Sequence, residues 1–114
     1  MSKHDDSVRL RHMLDAARRA VKFVKGRTRA DLDTDEQLAL ALTRLLEVIG
    51  EAAKHVSEET QRAHPEIPWK ETAATRDRLI HGYFDVDLNI IWEITTADLP
   101  PLIAGLEKVL SVSR

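Results

Sequence analysis

Leu38-Ala39-Leu40-Ala41-Leu42-Thr43-Arg44-Leu45-Leu46-Glu47-Val48-Ile49-Gly50-Glu51-Ala52-Ala53-Lys54-His55-Val56 places its larger apolar side chains at the spacing of one helix face. Leu38, Leu42, Leu45, Leu46, Ile49, Ala53 and Val56 recur at steps of three and four, whereas a strand would alternate every second residue. One apolar stripe on a long helix means that the helix is buried along that stripe against other elements. Gly50 interrupts the run. A mid-helix glycine costs up to about 1 kcal/mol relative to alanine, so it predicts a close helix approach at that point. Thr34 or Asp33 is the start signal, with Asp35 and Glu36 in the first turn.

The same periodicity extends outward. Upstream, Leu10, Leu14, Ala17, Val21 and Val24 predict a first helix from Asp6 to Lys25, closed by Gly26. Downstream, Ser57-Glu58-Glu59 predicts a short helix to Ala63. Pro65 and Pro68 punctuate the chain, and Trp69 opens a third main helix predicted to reach His81, with Gly82 just past its end. Asp85 or Asp87 caps a fourth carrying Leu88, Ile91 and Trp92. Asp98 reads as the cap of a last helix with Pro100 and Pro101 in its first turn, and the two could form one helix kinked at the prolines. Short connections between amphipathic helices predict an all-α, antiparallel four- to five-helix bundle, with residues 1–114 as a single domain.

Composition excludes several classes. There is no cysteine, which removes disulfides, Cys-ligated zinc and thiol nucleophiles. His4, His12, His55 and His64 lack metal-ligand spacing and read as surface residues, so no metal and no cofactor is expected. The first residues are charged, with no apolar signal core and no membrane-spanning run, so a cytoplasmic protein is expected. The net charge of −2 is uneven: residues 1–30 hold nine Lys/Arg and three Asp/Glu, and residues 31–114 hold eight and sixteen. A basic N-terminal segment can approach phosphates, with Arg9, Arg11, Arg18 and Arg19 as candidates, or simply be a solvated helix face.

The chemistry concentrates in Arg76-Asp77-Arg78-Leu79-Ile80-His81-Gly82-Tyr83. If this run is helical, Asp77 and His81 share a face, where a carboxylate can orient an imidazole. Arg76 and His81 are five apart, about 140° around an ideal helix. They would then diverge within one chain, and two copies facing across a two-fold axis could line one cleft. Glu51 and Lys54 are further candidates for that cleft, or an exposed pair three apart. The plain reading of Arg78 and His81 is that cations complement a helix C-terminus capped by Gly82.

The pattern of Arg, four residues, His, any residue, Tyr resembles the signature of HEPN domains, in the subfamily of HepT toxins. Arg76, His81 and Tyr83 occupy its fixed places. The similarity continues through Ile49–Lys54, His64–Trp69, Phe84–Leu88 and Asp98–Leu102, and so covers nearly all of the chain beyond the first helix. The residue after the motif arginine, commonly Asn in HepT proteins, is Asp77 here.

The resemblance implies a homodimeric, metal-independent endoribonuclease, the toxin of a toxin–antitoxin pair. Arg76 and His81 would be its catalytic residues, with Asp77 and Arg78 supporting and RNA as substrate. It further implies a partner, an MntA-like minimal nucleotidyltransferase antitoxin that transfers AMP onto Tyr83. Two other classes fit the same helices: a non-catalytic HEPN module that binds a nucleotide or a partner nucleotidyltransferase, and a purely structural helical dimer. The complete Arg76, His81 and Tyr83 set argues against both.

Overall fold

The computed structural model describes residues 3–81 and 85–111; Gly82, Tyr83 and Phe84, and the side chain of His81, lie outside the described set. Helix α1 spans Lys3–Val24 and closes as expected: Gly26 adopts φ 76°, and the Arg27 amide donates to the Val24 carbonyl at 2.9 Å. A short turn, α2 (Asp31–Thr34), follows, and then α3 (Glu36–Lys54). The cap of α3 is Asp35 rather than Thr34 or Asp33, because those two residues are used in the α2 turn. Its carboxylate accepts the Leu38 amide at 3.0 Å. The other Asp35 oxygen takes Arg27 at 2.7 Å, and Asp31 takes the same guanidinium at 3.2 Å, which fixes the α1–α3 connection. The Asp35 hydrogen bond raises the Arg27 pKa and, with the Leu38 amide, lowers that of Asp35.

The expected stripes are buried except at Val21 and Leu45, which are half-buried against the core. Leu10, Met13, Leu14, Ala17 and Ala20 of α1 meet Leu38, Leu42, Leu46, Ile49 and Ala53 of α3 in one core. The two helices run antiparallel, since Asp6 near the start of α1 reaches Ser57 just beyond the end of α3. Asp6 is 3% exposed, and its carboxylate accepts the Ser57 amide at 3.0 Å and the Ser57 and Thr60 hydroxyls at 2.6 Å each. Ser57 in turn caps α4 (Glu58–Ala63). Burial pushes the Asp6 carboxyl up, but the hydrogen bonds from Ser57 and Thr60 outweigh it and hold the group below its ordinary value.

The third main helix departs from expectation in two ways. It is split into α5 (Trp69–Ala73) and α6 (Thr75–Leu79). The buried Thr72 and Thr75 hydroxyls donate to the Pro68 and Thr72 carbonyls at 2.7 and 2.6 Å, a back-bonding that bends helices. It also ends at Leu79 and not at His81. Ile80 turns extended (φ −98°, ψ 124°), and β1 (Ile80–His81) pairs antiparallel with β2 (Asp85–Val86). The Leu79 carbonyl is taken by the Asp87 amide at 2.7 Å, so the chain doubles back instead of continuing the helix. The expected Gly82 cap lies outside the described residues.

Asp87 caps α7 (Leu88–Glu93), accepting the Asn89 and Ile90 amides. A π-helical turn (Ile94–Asp98) then leads directly into α8 (Leu99–Leu110). The expected Asp98 cap is not made, because Asp98 is itself helical and makes no capping hydrogen bond; its carboxylate meets Arg78 at 3.2 Å instead. Pro100 and Pro101 have no amide hydrogen, and the wider turn falls just before them. Helix α8 packs on α1, tied by Arg18 to Glu107 at 2.6 Å. Trp69 is buried and donates to the His64 carbonyl at 2.9 Å, whereas Trp92 is half-buried against the core. The all-α expectation holds, with a two-residue strand pair added at the motif. No helix among the described residues is long and apolar enough to cross a membrane.

Candidate active site

Close packing at Gly50 positions the site. A Cβ on this residue would lie 3.3 Å from the Thr72 carbonyl oxygen and 3.4 Å from the Thr75 Cβ. The glycine lets the α5–α6 pair sit directly on α3, as its place in the sequence predicted, and this lays Arg76 across the outer edge of α3. The Arg76 side chain is 67% exposed, with its Nε 3.8 Å from Glu47 Oε2. Arg44, Glu47, Glu51, Lys54, Ala73 and Arg76 line a groove of about 290 Å³ beside Gly50.

Glu51 and Lys54 therefore share a groove with Arg76. Glu47 and Arg44, which the sequence pattern alone did not single out, join them. Their signal was present: Arg44, Glu47, Glu51 and Lys54 step by three, four and three along α3, a polar stripe flanking the glycine. The groove can hold an anion against Arg76, because a guanidinium fork offers several N–H donors to phosphate oxygens.

Other expectations change. Since His81 is extended, Asp77 and His81 do not share a helix face, and the 140° separation no longer applies. Asp77 is exposed. Arg78 is half-buried and bridges α6 to Asp98. It lines a separate, mainly apolar cavity of about 320 Å³ between α3, α5, α6 and the start of α8. Its position is that of a tether, away from the Arg76 groove. The backbone places His81 opposite Asp85, two residues beyond the end of α6. Tyr83 lies outside the described residues.

Of the histidines expected at the surface, His12 and His55 are exposed, while His64 is half-buried. His4 has a side chain outside the described set. Of the N-terminal arginines, Arg18 is committed to Glu107.

Comparison with known proteins gives one consistent answer. Residues 13–109 match the family model "Ribonuclease HepT-like". The chain is 40% identical over 94 residues to a Thermococcus cleftensis protein named "Probable ribonuclease HepT", covering 79% of this chain and 86% of that one. It is also 40% identical over 105 residues to a protein of Caldanaerobacter subterraneus subsp. tengcongensis provisionally named an RNase, covering 92% and 94% of the two chains. A Methanocaldococcus jannaschii protein, again provisionally named an RNase, is 32% identical over 109 residues, covering 96% of this chain and all 100% of that one. No solved structure matches.

Proposed function

The chain belongs to the HepT-like ribonuclease family, and from that premise we propose that it is the RNA-cutting toxin of a toxin–antitoxin pair. The observation that carries this reading is Arg76: a guanidinium held at the mouth of a groove, largely exposed, with a loose 3.8 Å contact to Glu47 and with His81 and Tyr83 following at the family spacing.

The reaction is a metal-independent transesterification. The imidazole of His81 takes the proton of a ribose 2′-OH as the oxygen attacks the adjacent phosphorus. The bond from phosphorus to the 5′-oxygen breaks, and a protonated imidazole returns a proton to that leaving oxygen. The product ends in a 2′,3′-cyclic phosphate, and DNA, lacking the 2′-OH, is not cut. Arg76 stabilises the charge that builds on the non-bridging oxygens in the transition state. Acid and base come from two copies of His81 at a composite site in a homodimer. Helical divergence of Arg76 and His81 does not support this sharing, since His81 is not helical. It stands on the resemblance and on the self-complementarity of a two-fold interface.

Tyr83 is the off-switch. An MntA-like nucleotidyltransferase antitoxin transfers AMP from ATP to its phenolic oxygen and releases pyrophosphate. The added bulk and negative charge two residues from His81 block the site and repel RNA phosphate. Expression with and without this antitoxin, read as growth and as RNA integrity, tests the reading. A His81→Ala protein that remains toxic and still cuts RNA would overturn it.

A further inference from the structure

A second groove, of about 400 Å³, lies along the seam of α1 and α3 and is lined chiefly by Arg9, His12, Arg44, Glu51 and His55. Arg44 and Glu51 also line the groove of Arg76, so the two are continuous along the outer face of α3. Four of these five residues are arginine or histidine, on a protein whose net charge is −2. The one carboxylate, Glu51, lies 3.7 Å from the His55 ring. In the adjoining groove Glu47 faces Arg76. Arg44 and Lys54 have no carboxylate oxygen within 4 Å among the described residues.

Arg9 adds an independent observation. Its Nη1 is buried and has no hydrogen-bond partner among the described residues. The Arg9 charge acts on the Asp6 carboxylate, whose oxygens are already used by Ser57 and Thr60. A guanidinium nitrogen without an acceptor gives up no bond when the side chain turns toward the groove, and an anionic oxygen there would supply the missing partner.

We infer that the α1–α3 groove is a phosphate-holding subsite for the RNA strand outside the cleaved bond, with Arg9 and Arg44 as its anchors. The inference rests on the ribonuclease reading and deepens it. Arg44 and Glu51 are two helical turns apart, about 10 Å at 1.5 Å rise per residue. A stacked strand advances about 3.4 Å per nucleotide, so the path spans more than one nucleotide. It also gives a use to basic residues of α1 that the reaction itself does not require.

The test is binding of fluorescently labelled single-stranded RNA to protein carrying His81→Ala, followed by anisotropy across a salt series, with cleavage by the His81-intact protein measured in parallel. Adding Arg9→Gln and Arg44→Gln should weaken binding about tenfold or more at low salt, because phosphate neutralisation dominates affinity there. The slope of log affinity against log salt should flatten by about 0.7 for each phosphate that the protein no longer neutralises. Arg62→Gln, an exposed arginine on α4, should behave as the parent. If Arg9→Gln disturbs folding, Arg44→Gln alone decides, because Arg44 is exposed. Unchanged affinity and slope in the double variant, or an equal loss in Arg62→Gln, would overturn the subsite. RNA cut by the His81-intact protein with an unchanged slope would remove only this inference. RNA neither bound nor cut would remove the ribonuclease reading and the subsite together.

Discussion

Arg76 and Glu47 face each other across the α3–α6 groove, with Nε 3.8 Å from Oε2. The contact is long for a charge-assisted hydrogen bond, which closes to about 2.7–2.9 Å. It aims the guanidinium without consuming its donors. Replacing Arg76 with Ala should therefore lower RNA cleavage roughly 100- to 1,000-fold, the scale seen when one preorganised donor to a developing oxyanion is removed. Stability should stay within about 0.5 kcal/mol, because the side chain is mostly in water. Arg76→Lys should recover only part of the rate, since an ammonium keeps the charge and loses the fork. Initial rates and urea midpoints on the same preparations check both statements.

Gly50 should tolerate no larger residue without a shift of α5. A methyl group would sit 3.3 Å from the Thr72 carbonyl oxygen, a backbone atom that cannot rotate away. Gly50→Val should destabilise by about 1–3 kcal/mol through overpacking. Gly50→Ala should cost less, since better helix propensity returns up to about 1 kcal/mol. Chemical unfolding measures the first effect. RNA cleavage by the folded fraction should also fall, because the same close approach positions Arg76.

Asp6 ties α1 to the start of α4. Asp6→Ala leaves the Ser57 amide and two hydroxyls without their acceptor and should cost about 1–3 kcal/mol. The pH dependence has a defined sign. The folded-state carboxyl lies below its ordinary value, so its contribution is complete above about 3.9, the unfolded reference. It is lost as pH falls through the lower, folded-state value. Urea midpoints of wild type and Asp6→Asn should thus converge on acidification below about pH 4. A constant difference down to the acid limit would contradict the assignment.

Tyr83 should carry the AMP adduct. Intact mass after coexpression with a cognate nucleotidyltransferase should show one or more added AMP units. Tyr83→Phe, which lacks the phenolic oxygen, should show none. Adduct persisting on Tyr83→Phe would place the modification elsewhere.

Much of the bundle was legible because its signals are local and periodic. The stripes of α1 and α3 follow from Leu and Ala spacing, Gly26 from its place after Val24, and the packing role of Gly50 from its isolation in an apolar run. What failed depends on tertiary partners. Leu79 ends its helix because the Asp87 amide takes its carbonyl, and nothing within Arg76–His81 announces that. Asp98 forgoes a cap because the helix runs through it without a break, and its carboxylate meets Arg78, twenty residues earlier, instead. Asp35 displaces Thr34 and Asp33 as the cap once Asp31–Thr34 forms its own turn. The site divides the same way. Arg76 is legible in the motif, whereas Glu47 and Arg44 join it only because α6 lies on α3.

The most direct test is RNA cleavage by purified wild type beside His81→Ala, with a metal chelator present in both. Wild type should cut RNA, leave 2′,3′-cyclic phosphate ends and spare DNA of the same sequence, while His81→Ala should be inactive. Equal cleavage by His81→Ala, or activity that chelation abolishes, would contradict the proposed reaction.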